Sequence, residues 1–300
     1  MNQASPRSNG LVVAALLLSA IVGSLVLSTP ARADDAPIAA RFHHVHLNVA
    51  DPAKTIDYYK KFFGAVPIKF RGVSDALLTD RSYFLFNTVS QPPPANAKTS
   101  LWHLGWGGVD GHSEYQWRTD QGITWDTRIT TFGDEWAHFM YAQGPDGELL
   151  EIWTGTPHHR YNHVHLLATD PNVTRNWYID HLGARGKRQH LPDPGPPPAD
   201  MTFRSPPKEQ FTQVWNTVAI VDGVIFNIFA NPTAPVFWWR GDLIPEFETT
   251  DGHVVDHIGF SYPDIDPVYQ RMKADGVEIV REIAWDDEFN LRSFYVRAPD

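Results

Sequence analysis

The sequence predicts an α+β fold of four βαβββ modules that pair into two tandem domains. Three observations carry that expectation. One phrase recurs four times, cap residues bracket a helix after it, and 300 residues fit about two domains. The phrase is a histidine seven residues before an aspartate: His44 to Asp51, His103 to Asp110, His163 to Asp170 and His257 to Asp264.

The first and third copies match almost residue for residue, as His44-Val-His-Leu-Asn-Val-Ala-Asp51 and His163-Val-His-Leu-Leu-Ala-Thr-Asp170. Alternating apolar residues in each make a strand, which puts His44 and His46 on one face. Asp51 and Asp170 suit helix N-caps, with Pro52 and Pro171 at the first helical position. The helices then run from Pro52 to Phe63 and from Pro171 to Leu182, and Gly64 and Gly183 suit left-handed C-caps. In the fourth copy, Asp266-Pro267 is the better cap. Short β-like runs follow: Ile68–Arg71, Tyr83–Phe86, Trp136–Tyr141, Leu149–Trp153, Val214–Val221 and Val224–Phe229. The histidines are spaced by 59, 60 and 94 residues, so the third unit carries long insertions, at 191–210 and 231–250. Insertions of this size often serve as lids or binding loops. Pairing units in chain order gives one domain over 41–155 and a second over 161–300.

Ahead of the repeats, an apolar run from Leu11 to Leu27 follows Arg7 and precedes Ala31-Arg32-Ala33. This reads as a signal peptide over 1–33, cleaved after Ala33, and predicts a periplasmic or secreted protein. The formal charge of -10 argues against nucleic acid or an anionic membrane as a partner and leaves a small molecule. The oligomeric state is not legible. The chain has no cysteine, which excludes disulfides, thiolate metal sites and cysteine nucleophiles. Any metal must be held by His, Asp or Glu.

His44 and His103 open equivalent strands, and Glu151 lies on the strand after the turn Gly144-Pro145-Asp146-Gly147. Two histidines and a carboxylate on rigid strands form a facial triad that leaves coordination positions open on a divalent ion. The repeat brings His44 and His103 to matching places around one cleft. Tyr141 and His138 precede the turn. A four-residue loop would put His138 on the Glu151 face and a five-residue loop Tyr141, and either could exchange a proton with a bound substrate. His46 is expected to line the pocket. Trp102, Trp106, Trp125 and Trp153 are divided between pocket walls and core.

The four His-x6-Asp phrases and Pro145-Asp146-Gly147-x3-Glu151 resemble the vicinal oxygen chelate superfamily, which includes glyoxalase I, extradiol dioxygenases and bleomycin resistance proteins. The resemblance spans 41–300. It implies cups built from paired βαβββ modules, with His44, His103 and Glu151 as ligands and Fe(II) favoured over Mn, Zn or Ni. Glyoxalase-type relatives carry a fourth, carboxylate ligand, and the alignment puts Asn87 there, with Asn227 at the matching place in unit three. This favours an extradiol-dioxygenase-like oxidoreductase acting on a vicinal-oxygen substrate. A glyoxalase-type lyase or isomerase and a small-molecule-binding resistance protein are the alternatives. His163 and His257 would form a weaker second site, whose carboxylate falls near position 305, past Asp300.

Overall fold

A computed structural model describes residues 39–132, 137–186, 216–231 and 246–300. The expected leader at 1–33, the insertion at 191–210 and most of that at 231–250 lie outside the described residues. Four units follow one another. The first is β1 (Arg41–Val49), α1 (Pro52–Phe63), β2 (Val66–Phe70), β3 (Ser74–Thr79) and β4 (Ser82–Thr88). The second is β5 (Leu101–Gly107), α2 (Gly111–Asp120), β6 (Thr130–Phe132), β7 (Ala137–Gln143) and β8 (Leu149–Trp153). The third contains β9 (Tyr161–Ala168), α3 (Pro171–Leu182), β10 (Asn216–Val221) and β11 (Val224–Ala230). The fourth contains β12 (Val255–Ser261), α4 (Asp266–Ala274), β13 (Ile279–Asp286) and β14 (Leu291–Val296).

The helices begin and end where local chemistry dictates. Asp51 accepts the Lys54 amide and Gly64 closes α1 at φ 66°. Asp170 accepts the Asn172 and Val173 amides and Gly183 closes α3, also at φ 66°. Glycine meets no steric penalty in this left-handed region. At α4 the capping bond comes from Asp264, whose Oδ1 accepts the Asp266 amide at 3.0 Å.

Strand alternation sorts the side chains. Val45, Leu47 and Val49 of β1, Leu104 and Trp106 of β5, and Val164, Leu166 and Ala168 of β9 are buried in one core. Their neighbours His44, His46, His103, His163 and His165 therefore face the other way. Aromatic contacts join the sheets through that core: Phe84 stacks on Trp106 at 5.5 Å, and Phe42 lies 5.6 Å from Tyr161.

The modules pair differently from the chain-order expectation. One sheet runs β12-β1-β4-β3-β2 and another β10-β11-β9-β5-β8-β7-β6. Unit one is thus joined to unit four, and unit two to unit three. The division at 41–155 and 161–300 does not follow the sheets. The cause is local to β5: β8 lies parallel on one of its edges, and residues 154–160 cross over to lay β9 antiparallel on the other. β1, left without β5, pairs with β12.

Candidate metal centre

The change of partner decides which ligands meet. His103 on β5, Glu151 on β8, and His163 and His165 on β9 bring their donor atoms within 4.8 Å of one another. Glu151 Oε2 lies 2.9 Å from His103 Nε2, 2.9 Å from His163 Nε2 and 3.4 Å from His165 Nε2. His103, Glu151 and His163 are all buried.

His44 does not join His103 and Glu151. It clusters instead with His46 and His257 in the sheet of units one and four. The expected pair of His163 and His257 is likewise split between the two cups. His46 belongs to the His257 cluster, stacking on that ring at 4.5 Å, and not to the pocket of His103.

Register explains both clusters. In the β5–β9 ladder His103 faces His165 and Gly105 faces His163. In the β1–β12 ladder His46 faces His257 and His44 faces Gly259. Each cup thus opposes a His-x-His strand to a His-x-Gly strand. The glycines are required: a Cβ on Gly105 would stand 2.0 Å from His163 Nε2, and one on Gly259 1.9 Å from His44 Cε1. The contrast of His-x-His at 44 and 163 with His-x-Gly at 103 and 257 was visible in the sequence, and it was the signal for His165 and His46.

The fourth-ligand position also shifts. His46 pairs with Leu85 and Asn48 with Asn87, whereas His165 pairs with Asn227 and Gly105 with Glu151. Leu85 and Asn227 are therefore the counterparts of Glu151, and Asn87 sits two residues beyond. Asn87 is exposed and donates to Asn48 Oδ1 at 3.0 Å. Asn227 Nδ2 lies 2.9 Å from His165 Nε2.

The hairpin leading to Glu151 settles the next pair of residues. Gln143 pairs with Leu149 across the loop 144–148, and Tyr141 pairs with Glu151. The Tyr141 ring lies 5.1 Å from that of His103. His138 faces the other side and packs on His112 at 4.8 Å, because side-chain direction alternates along the strand. Trp102 flanks His103 at 4.3 Å and His165 at 5.7 Å. Phe229 stacks on His165 at 5.1 Å. Trp106 belongs to the core, Trp125 stacks on Tyr115 and Trp153 on Phe139.

Electrostatics suit a cation. Burial lowers the pKa of His103 and takes that of His165 well below the usual value, so both stay neutral. Burial opposes charge on Glu151, but the His165 imidazole and the hydrogen bond with His103 hold its pKa well below the carboxylate range. His163 Nδ1 lies 2.6 Å from the Asn162 amide oxygen, which only an N–H can satisfy. Its Nε2 therefore turns a lone pair toward Glu151 Oε2. Two acceptors at 2.9 Å need a proton or a metal between them. A carboxylate with neutral imidazoles, one oriented by an outer hydrogen bond, is a suitable donor set for Fe(II), Mn, Zn or Ni.

Residues 160–300 match a family model described as the Glyoxalase/Bleomycin resistance protein/Dioxygenase superfamily. No curated protein matches the sequence significantly. Among solved structures, glyoxalase I from Zea mays aligns with a TM-score of 0.61 at 16% identity, covering 87% of this chain and 90% of that one. A "putative dioxygenase" from Bacillus subtilis subsp. subtilis str. 168 aligns with a TM-score of 0.55 at 13% identity, covering 88% and 83%. At these identities the likeness establishes a common fold. With the family match and the modular cups, it identifies the chain as carrying a domain of the Glyoxalase/Bleomycin resistance protein/Dioxygenase superfamily.

Proposed function

We propose that this is a metal-dependent oxygenase of the extradiol-dioxygenase type, acting at His103, Glu151 and His163 on a small substrate with adjacent oxygens. We extend the proposal to location: the leader expected at 1–33 directs the protein out of the cytoplasm. One observation carries the choice of reaction. A single carboxylate stands among the imidazoles, and Asn227 occupies the place where a second would make the four-ligand set of an isomerase. An amide is a weak donor, so this set leaves more than one position exchangeable. A bound divalent cation supplies open positions at which oxygen donors are polarised.

The chain's own residues do the remainder. Trp102 and Phe229 present ring surfaces beside His165, suited to a flat apolar substrate. Burial holds the Tyr141 phenol well above its usual pKa, so it keeps its proton at neutral pH and can donate a hydrogen bond to a substrate oxygen. Asn162 fixes the tautomer of His163.

The test is oxygen uptake by the iron(II)-loaded protein with a panel of catechols. Uptake should need both substrate and Glu151, and Glu151→Gln should abolish it while the protein stays folded. Oxygen-independent conversion of a hemithioacetal would overturn the proposal in favour of the glyoxalase-type reaction.

A further inference from the structure

The hairpin that carries Glu151 is gripped by α1 of unit one. Tyr58 donates to the Gln143 carbonyl at 2.7 Å, and the Lys54 ammonium reaches the Pro145 carbonyl at 3.4 Å, both at the surface. A third contact is buried: the Tyr59 hydroxyl donates to Glu148 Oε1 at 2.7 Å. Tyr59 is 0% exposed and Glu148 2%. Glu148 folds back over its own turn. Its Oε2 accepts the Asp146 amide at 3.1 Å, and a Cβ on Gly144 would stand 2.0 Å from its carboxyl carbon. The Gly144 amide closes the turn on the Glu148 carbonyl at 2.8 Å.

Glu148 and Glu151 lie three residues apart, about 10 Å of extended chain. Leu150 and Ile152 of β8 point into the core with Tyr59, and Glu151 points the other way into the cup. The turn sets the pairing of Gln143 with Leu149 and hence of Tyr141 with Glu151, so a shift of the turn is carried along β8 to the carboxylate beside His103. The groups that face the Glu148 carboxyl are Lys54, Tyr58 and Tyr59 of α1, Asp146 of the turn and Arg118 of α2. Lys54 is turned to Pro145, and Arg118 to Glu114 and the Phe62 carbonyl. Burial pushes the carboxyl up to about 7, against the bonds from Tyr59 and the Glu148 and Asp146 amides, which favour its charged form. Burial also holds both tyrosines above their usual range, so they remain donors. The seat is therefore neutral below pH 7 and holds a buried charge above it.

We propose that Tyr59 of unit one is a positioning residue for the cup of units two and three: through the Glu148 carboxyl it seats the hairpin that places Glu151. The inference rests on the reading of His103, Glu151 and His163 as metal ligands. When Glu148 gives up its proton, charge enters an apolar seat and the hairpin loosens. Binding at the cup then weakens as pH rises through about 7. Competition between protons and a cation for imidazole has the opposite sign, because histidine ligands bind once they are deprotonated. The direction of the pH effect thus separates the latch from the titration of the ligands themselves.

The experiment is an NMR titration of the metal-free protein between about pH 5 and 9, read at the Glu148 carboxyl and at the backbone amides of Glu151 and His103. All three should move with one midpoint at about 7. Tyr59→Phe keeps the ring and removes a donor that favours the charged carboxyl, so it should raise the midpoint by about one unit. A hydroxyl with a merely structural role would leave the midpoint where it is. Glu148→Gln should abolish the step, which separates it from titration of the cup's histidines and keeps the test decisive should Tyr59→Phe fail to fold. Calorimetry then reads Mn²⁺ binding: the Kd should rise about tenfold between about pH 6 and 8 in the unsubstituted protein and not in Glu148→Gln. Glu151 and His103 amides that stay still while Glu148 titrates would overturn the proposal. So would an unchanged midpoint in Tyr59→Phe, or a Glu148 that does not titrate in this range. The NMR readings need neither metal nor turnover, so a cup that binds no Mn²⁺ or consumes no oxygen would sink the proposed function and leave this inference to the amide shifts.

Discussion

The two cups share one backbone plan and differ in the side chain beside their His-x-His strand. In both, a His-x-His strand lies antiparallel to a His-x-Gly strand, and the glycine makes room for the first histidine opposite. Beside the His-x-His strand β9, β11 supplies Asn227, whereas beside the His-x-His strand β1, β4 supplies Leu85. The fold thus fixes where side chains converge, and the strand beside each His-x-His strand fixes which polar or apolar group joins them. The residues that make a cup and those that line it are separable, a concrete form of the rule that function lives in sites grafted on folds.

The largest effect should come from placing a carboxylate at that position. Leu85 is 1% exposed and sits in a small cluster with Phe70, Ala76 and Phe289. Leu85→Glu puts a carboxylate beside His46, where the other cup has Asn227 beside His165. Without metal, an uncompensated buried charge should destabilise the protein by roughly 3–5 kcal/mol. A cation at a hundred times its Kd should return about 2.7 kcal/mol. Thermal unfolding with and without Mn²⁺ reads both. Loss of stability that Mn²⁺ does not relieve would show that the cups are not equivalent at this position.

The second comparison sets two carboxylates three residues apart against each other. Glu151 is held charged by imidazoles. Glu148 is buried and accepts from the Tyr59 hydroxyl at 2.7 Å and the Asp146 amide at 3.1 Å. Burial outweighs those bonds and raises its pKa to about 7. The folded state therefore binds a proton that the unfolded chain releases near 4.5. The stability Glu148 contributes is complete below pH 4.5 and is lost as pH rises to about 7. Glu148→Gln removes this dependence and keeps an acceptor for Tyr59. The stability difference should move in the variant's favour by roughly 3 kcal/mol between pH 4.5 and 7, then stay flat. Urea midpoints at both ends of the window check it.

Sequence pattern carried the bounds of the capped helices well, missed β3, β13 and β14, and carried the tertiary partnership poorly, for physical reasons. The bounds of α1 and α3 were legible because cap, proline and glycine act within one helical turn of the ends they set. Placing Asn87 opposite Glu151 failed by two residues because register is set by strand pairing, here Tyr83 on His44, which leaves no local mark. Joining His44 to His103 failed because two histidines in equivalent strands are compatible with either pairing of modules. The fourth place was read correctly in unit three, where Asn227 does sit at the counterpart of Glu151. The argument from a missing second carboxylate therefore survives on that residue.

The smallest effect concerns how the units are held. Asp146, in the turn before β8, accepts the Ala50 amide at 3.1 Å and the Thr55 hydroxyl at 3.4 Å, which ties unit two to the start of α1. Asp300 does the same for α3, accepting the Thr169 amide at 3.0 Å and the Thr174 hydroxyl at 2.8 Å. The two clamps are repeats of one device, and each spans the core between units that share no sheet. Thr55 and Thr174 are buried and their hydroxyls also reach the carbonyls of Asp51 and Asp170, so losing the carboxylate breaks charge-assisted bonds without stranding a hydroxyl. Asp146→Ala and Asp300→Ala should each cost about 1–2 kcal/mol in denaturant unfolding. The clamps share no residue, so the double variant should lose the sum to within about 0.5 kcal/mol. A markedly larger loss in the double variant would mean that the two halves of the molecule unfold as one cooperative body through these contacts.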